Sequence, residues 1–266
     1  MIDSLVAFMS NNYKVVWLSA GVSSFIGGYL VKDTVDEWIY IDVKDQHPDS
    51  MRFIHDCEKA IGKKVTILRS EKYEDVEDVC RKLKFGNSPH GAACTGMLKK
   101  QVRKQWESRF YAEHGNMNLT YVWGFDRKER KRAENMIANF PEFDHEFPLI
   151  DKCISKEDAH GLLMSLGIKR PAMYDLGFPN NNCIGCLKQG AYFWNKTRKL
   201  YPEVFEKRAK LERDLGHSFM NGVFLDELDP NAGRANEIVP ECSIFCYQVQ
   251  SELKENESET IFTKAS

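Results

Sequence analysis

The stretch Trp17–Leu30, WLSAGVSSFIGGYL, sets the reading of the whole chain. The apolar run Val15–Leu18 just before it has the length and β-rich character of a short buried strand. It delivers Ser19, Ala20, Gly21, Val22, Ser23 and Ser24 into a helical pattern over Phe25–Val31. Strand, small-residue turn and helix start together make an anion site, because free backbone N–H groups and the positive end of the helix dipole converge where the side chains are small. The hydroxyls of Ser19, Ser23 and Ser24 add donors. Taken alone, the stretch is also compatible with a plain turn, since strand-to-helix junctions in many α/β proteins collect Gly and Ser.

Outward from this stretch the alternation continues. Glu37–Asp42, Val65–Leu68 and Leu119–Gly124 read as strands, and Pro48–Ile61, Val76–Leu83 and Met97–Phe110 as helices. Such alternation predicts a three-layer, Rossmann-like α/β fold with a mostly parallel sheet and helices on both faces. Ligands of such sheets bind at the carboxyl ends of the strands, which singles out the loops after Leu18, Asp42, Leu68 and Gly124. Beyond about Pro148 the pattern changes. A helix over Ser155–Leu166, capped by Ser155, stops at Gly167; the loop Gly177–Asn182 runs into Cys183-Ile184-Gly185-Cys186; a long helical stretch, Tyr192–Leu215, breaks near Pro202. The expected division is an α/β domain over 1–150, a helical, cysteine-bearing, metal-binding extension over 151–250 and an acidic flexible tail over 251–266.

Composition narrows the classes. With 266 residues, 42% of them hydrophobic, the chain can build a sizeable core. The start MIDSLVAFMS lacks the basic region and cleavage site of a secretion signal, and no apolar run approaches the ~18 residues that cross a bilayer, so a cytoplasmic protein is expected. Net charge is -2, so no global basic field announces nucleic acid. The charges are clustered, however: Lys99–Lys104 and Arg127–Arg132 are basic, and Ser251–Glu259 is acidic. Eight cysteines without a secretion signal point to metal or redox chemistry and away from a disulfide framework. Cys57, Cys80 and Cys153 sit beside apolar residues and read as core thiols.

Several of these motifs, in this order, carry a resemblance. Ser19–Ser24 resembles the SGGxDS pyrophosphate loop of the adenine nucleotide alpha-hydrolase superfamily. Ile41-Asp42 with Asp45-Gln46-His47-Pro48, Cys94-Thr95-Gly96-Met97-Leu98-Lys99, Gly124-Phe125-Asp126 with Glu129 and Arg132, and Asn182–Lys188 with Tyr192, Trp194 and Pro202–Phe205 are similar to the phosphoadenosine phosphosulfate reductase family, including its DNA-phosphorothioation and phage-borne members. The resemblance spans about residues 13–216 and implies an adenine nucleotide alpha-hydrolase-like domain that binds ATP or another adenine nucleotide with Mg2+. Two positions depart from the loop pattern. Ala20 replaces its first glycine, and Ser23 replaces the aspartate that organises magnesium-bound pyrophosphate, leaving Asp42 or Asp45 to supply that charge. Backbone and hydroxyl donors still suffice for phosphate.

The cysteine pair Cys183-x-x-Cys186 has the spacing at which two thiolates grip one metal. Cys242 and Cys246 would complete a four-cysteine site for Zn2+ or an iron–sulfur cluster. The resemblance instead implies that Cys94 joins the pair. Cys94 also precedes a basic helix, where the helix N-terminus lowers a thiol's pKa and would make it a nucleophile or sulfur carrier. Glu129 and Arg132 share a helix face, so Arg132 is either a phosphate clamp or the partner of a surface ion pair. Lys99 has the same two roles open, and His47 either contacts the nucleotide or caps a helix.

Together these features lead to an expected adenine-nucleotide-dependent enzyme of sulfur chemistry, adenylating an acceptor before sulfur attack, with Asp42 and Cys94 as candidate catalytic groups. A sulfonucleotide reductase and a catalytically degenerate nucleotide-binding or phage regulatory module are the alternatives. The expected partners are a nucleic-acid acceptor or a sulfur-donor protein, with homo-oligomerisation left open.

Overall fold

The computed structural model describes residues 12–88, 91–220, 222–235, 238–240, 243 and 246–255. In chain order, the first half holds β1 (Asn12–Leu18), α1 (Val22–Tyr29), β2 (Glu37–Ile41), α2 (Asp49–Ile61), β3 (Val65–Leu68) and α3 (Val76–Leu83). A two-residue ladder, β4 (Asn87–Ser88) and β5 (Gly91–Ala92), precedes a π-helical turn, Thr95–Lys100, that runs into α4 (Gln101–His114). Then come β6 (Asn118–Val122), α5 (Arg130–Asn139), β7 (Asp144–Glu146), α6 (Pro148–Asp151), α7 (Lys156–Ser165), α8 (Ala172–Asp175), α9 (Ala191–Leu200) and α10 (Pro202–Leu215). Residues 246–255 are helical as well.

The main sheet has the order β3-β2-β1-β6-β7, and every neighbouring pair is parallel. Because β2 and β3 lie on one side of β1, and β6 and β7 on the other, the strand order reverses between β1 and β6. In an open parallel sheet this reversal opens a crevice outside the strand ends. The alternation of side chains sorts the strands into two faces. Val16, Trp38, Tyr40 and Val122 pack under α1, α2 and α7, whereas Val15, Ile39 and Tyr121 pack under Trp106 and Phe110 of α4. The expected three-layer α/β architecture is the one found. A further apolar cluster joins α3 to α9 and α10 through Val79, Cys80, Trp194, Phe205 and Leu211.

Two glycines set how closely α1 lies on the sheet. A Cβ on Gly28 would stand 2.7 Å from the Trp38 ring and 2.8 Å from Val16, and one on Gly27 would stand 3.2 Å from Gly124 Cα. Gly27 and Gly28 therefore act as contact surface.

Some sequence expectations change. The polar strand β7, Asp144-His145-Glu146, gives no apolar signal because it sits at the sheet edge, half-exposed. Residues 251–255, expected to belong to a flexible tail, continue a helix whose Cys246 and Val249 are buried in the α1/α7 cluster; residues 256–266 lie outside the described residues. Cys153 is not a core thiol. It is exposed, in a turn with φ 54° just after α6. Among the described residues no helix is long and apolar enough to cross a membrane.

Gly28→Ala forces a methyl group against Trp38 and Val16. Overpacking of this kind costs about 1–3 kcal/mol, and chemical denaturation should show a lower midpoint with an unchanged slope.

Candidate functional site

A cleft of about 760 Å3 opens at the carboxyl ends of β1 and β6. Its floor is the Ser19–Ser24 turn, and its walls come from the π turn and α4 (Thr95, Lys99, Lys100, Arg103), from the β6 end and α5 (Gly124, Asp126, Glu129, Arg132), and from the Asn180–Asn182 loop. The volume is within the range of small-molecule sites.

The floor is built by close approach and by internal hydrogen bonds. Ala20, in place of a loop glycine, holds φ 55°, a left-handed conformation that costs a non-glycine residue roughly 1–2 kcal/mol. A Cβ on Gly124 would lie 2.4 Å from Ser24 Cα, so only glycine lets the β6 end touch the turn. Ser24 Oγ donates to Gly21 O at 2.9 Å, accepts from Ser19 N–H at 3.0 Å and lies 3.0 Å from Ser19 Oγ. The Ser24 hydroxyl thus closes the turn, contrary to its expected use as a ligand donor. Gly21 caps α1 without a side-chain hydrogen bond, and the first turn carries no acidic residue. The positive end of α1 is therefore left without a side-chain counter-charge at the edge of the cleft.

The remaining expected residues divide. Lys99, Gly124, Glu129 and Arg132 line the cleft with Ser19, Gly21, Ser23 and Ser24. Arg132 forms the expected ion pair with Glu129, lies 4.2 Å over the Phe125 ring and lines the cleft. Val22 is buried beneath the turn. Asp42, Asp45 and His47 are not among the cleft-lining residues. Asp42 pairs with Arg69 at 2.6 Å. Asp45 accepts from Val76 N–H at 2.8 Å and forms a buried ion pair with Arg208. His47 Nδ1 accepts from Asp49 N–H at 3.1 Å, the helix-capping alternative. The charge missing at Ser23 is thus not replaced from the β2 loop. The carboxylates at the cleft are Asp126 and Glu129, which cap each other's backbone in the turn before α5. Burial raises the Asp126 carboxyl above its ordinary range.

Asp45 organises the cysteine loop. Ile184 N–H donates to Asp45 O at 2.9 Å, Gln46 pairs with Cys183 in a β-bridge, and Arg208 donates to Gly185 O at 3.4 Å. Gly185 holds φ 65° with Val204 pressed against it. The Cys186 thiol lies near enough to raise the pKa of Cys94 and of Cys183, and Cys94 raises that of Cys183. Burial is the larger cause, pushing Cys183 up to about 12 and Cys94 upward, so the helix-start depression expected at Cys94 is outweighed. Cys246 packs instead in the α1/α7 cluster, 3.9 Å from Asp158 O, and Cys242 lies outside the described residues. Among the described residues no group of three or more His, Cys, Asp or Glu side chains is disposed to hold a metal ion. A smaller cavity of about 200 Å3, walled by Cys183, Phe178, Lys188, Gln189 and Phe193, shares Asn180 and Asn182 with the cleft.

Three cleft residues escape the sequence patterns. Lys156 opens α7, and its ammonium donates to Pro179 O and Asn180 Oδ1 at 2.6 and 2.7 Å. Burial lowers its pKa. Asn181 donates to Ala20 O at 2.7 Å, fixing the strained turn from above. The Tyr174 hydroxyl accepts from Val22 N–H at 3.4 Å. The ring of Tyr174 rests edge-on against His160, with centroids 4.5 Å apart.

No protein-family model matches the chain, and no curated protein matches it. Among solved structures, the crystal structure of phosphoadenylyl-sulfate (PAPS) reductase from Candida auris, in a phosphate complex, aligns with a TM-score of 0.44 and 15% identity, covering 67% of this chain and 84% of that one. A likeness of that degree leaves the site to be read from its own geometry.

Two tests follow from the supports of the cleft. Removing the Asp45 carboxylate by Asp45→Ala strands Arg208 and costs about 3–5 kcal/mol; in native protein, thiol-reagent labelling of Cys183 and Cys186 should accelerate. Burial lowers His160 to about 4, below the 6.5 of an unfolded chain. The unfolded state therefore binds the proton first, and His160 contributes stability that is complete above pH 6.5 and lost as pH falls toward 4, about 3 kcal/mol in all. His160→Phe should flatten that part of the stability–pH curve, measured by urea unfolding.

Proposed function

We propose that the cleft binds an adenine nucleotide with its phosphates against the start of α1, and that the chain is an enzyme of sulfur chemistry. The observation that carries this reading is the positive end of α1, with no acidic residue in its first turn, opening into a nucleotide-sized cleft where Lys99, Lys100, Arg103 and Arg132 converge from two sides. Trp17, Trp123 and Phe125 on the cleft wall offer flat surfaces for a base. That the base is adenine rests on the motif resemblance. The sulfur part of the reading is supported by position: Thr95 follows Cys94 and lines the cleft, and Asn182 precedes Cys183 and lines both cavities.

The reaction proposed is adenylation. An acceptor oxygen attacks the α-phosphorus of ATP and pyrophosphate leaves, carrying its charge onto the cleft's basic residues. Sulfide or a thiolate then displaces AMP from the activated acceptor. The basic stretches at the cleft, Lys99–Lys104 and Arg127–Arg132, support a nucleic-acid acceptor. In the alternative sulfonucleotide reductase, a thiolate attacks the sulfur of PAPS or APS and the phosphate leaves with the adenosine part. The degenerate-module alternative keeps binding and lacks both steps. Magnesium, and a metal or cluster at Cys183 and Cys186, remain proposals to be settled by metal analysis of anaerobically purified protein.

Titration of Trp fluorescence with ATP should saturate, and Lys99→Ala or Arg132→Ala should weaken binding about tenfold each, the loss of one charge-assisted contact. Pyrophosphate release on adding ATP, magnesium and nucleic acid supports the adenylating enzyme. Release that appears only in Ser23→Asp identifies a module that has lost its magnesium carboxylate. No binding of ATP, PAPS or APS overturns the nucleotide reading.

A further inference from the structure

Hydrogen-bond accounting in the cleft assigns a ligand role to a residue outside every motif. We propose that Tyr174 is a phosphate-binding residue whose hydroxyl proton is donated to the anion held at the start of α1, an inference that rests on the nucleotide reading above.

Ser24 of the turn cannot fill that role. Ser24 spends its proton on Gly21 O and its lone pairs on Ser19. Tyr174 is the reverse case. Its oxygen accepts from the backbone N–H of Val22, which engages a lone pair and leaves the O–H proton over. Among the described residues no acceptor takes this proton. The neighbouring His160 ring meets the face or edge of the Tyr174 ring and not its hydroxyl, and both His160 nitrogens lack a hydrogen-bond partner. The side chain is 5% exposed, yet it lines the cleft. Its oxygen lies 3.3 Å from where a Cβ on Gly21 would stand, at the mouth of the α1 N-terminus. The backbone donor on the oxygen also makes the phenol a stronger hydrogen-bond donor, by polarising the O–H bond. Burial keeps the phenol protonated well above neutral pH.

An independent feature of the same wall points to a ligand. Asn181 is 5% exposed, and its amide nitrogen is committed to Ala20 O and Ser50 Oγ, yet its Oδ1 has no partner among the described residues. Buried polar atoms left open on this wall are costly. Tyr174, which lines the cleft, offers its proton to a phosphoryl oxygen.

The probes are inorganic pyrophosphate, ATP and adenosine, followed by calorimetry on the full chain. Tyr174→Phe keeps the ring on His160 and should weaken pyrophosphate and ATP about tenfold, the loss of one hydrogen bond to a charged group, while adenosine affinity stays unchanged and the thermal midpoint falls slightly as Val22 N–H loses its acceptor. Gly21→Ala places a methyl group against the Tyr174 oxygen without altering Tyr174, and should weaken pyrophosphate in the same way. Tyr174→Phe binding pyrophosphate as tightly as the parent overturns the proposal, as does an equal loss for adenosine and pyrophosphate. A parent protein that binds neither ATP nor pyrophosphate overturns the nucleotide reading itself, before any variant is compared.

Discussion

The close seating of α1 on the sheet is the constraint on which the rest depends. Gly27 and Gly28 let the helix backbone approach Trp38, Val16 and Gly124 at distances no side chain would allow, and Gly124 in turn lets the β6 end touch Ser23 and Ser24. The consequence is directional. A helix held this near the β1–β6 reversal points its N-terminus into the crevice that the reversal creates, so the same contacts that build the core aim the dipole. Packing and ligand site are here one arrangement, and a residue that thickens α1 moves both.

That arrangement has a polar cost which the surrounding chain absorbs. The turn needs Ala20 in a left-handed conformation, and Asn181 anchors its carbonyl from a loop 161 residues further along. Tyr174, from the short α8, satisfies Val22 N–H. Both supports come from the segment after α7, which itself packs on α1 through Leu162 and Leu163. The second half of the chain therefore completes the cleft of the first half.

This explains which parts the sequence disclosed. Strands β1, β2 and β6 announce themselves because their centres are buried on both faces, and Val65–Leu68 and Val76–Leu83 match to the residue because a polar boundary flanks each. β7 is silent because Asp144, His145 and Glu146 pair on one side only at the sheet edge. The Ser19–Ser24 turn is legible as a local pattern of small residues. Its supports are not: Tyr174, Asn181 and Lys156 are isolated in sequence and meet the cleft only through tertiary contacts. For the same reason Asp42 and Asp45 look like site carboxylates when read along the chain, although the fold commits each to an arginine, Arg69 or Arg208.

The thiols illustrate how burial overrides local pattern. Position before a basic helix predicts a depressed Cys94 pKa, but desolvation and the neighbouring Cys186 act in the opposite direction and win. What draws the thiols down comes from cations, Lys188 and Lys99 for Cys94, and Lys99 for Cys183. Lys99 also lines the cleft. An anion at Lys99 would offset the charge that favours the Cys94 and Cys183 thiolates, and this one ammonium links the cleft to the cysteine loop. The coupling is electrostatic and needs no movement of the backbone.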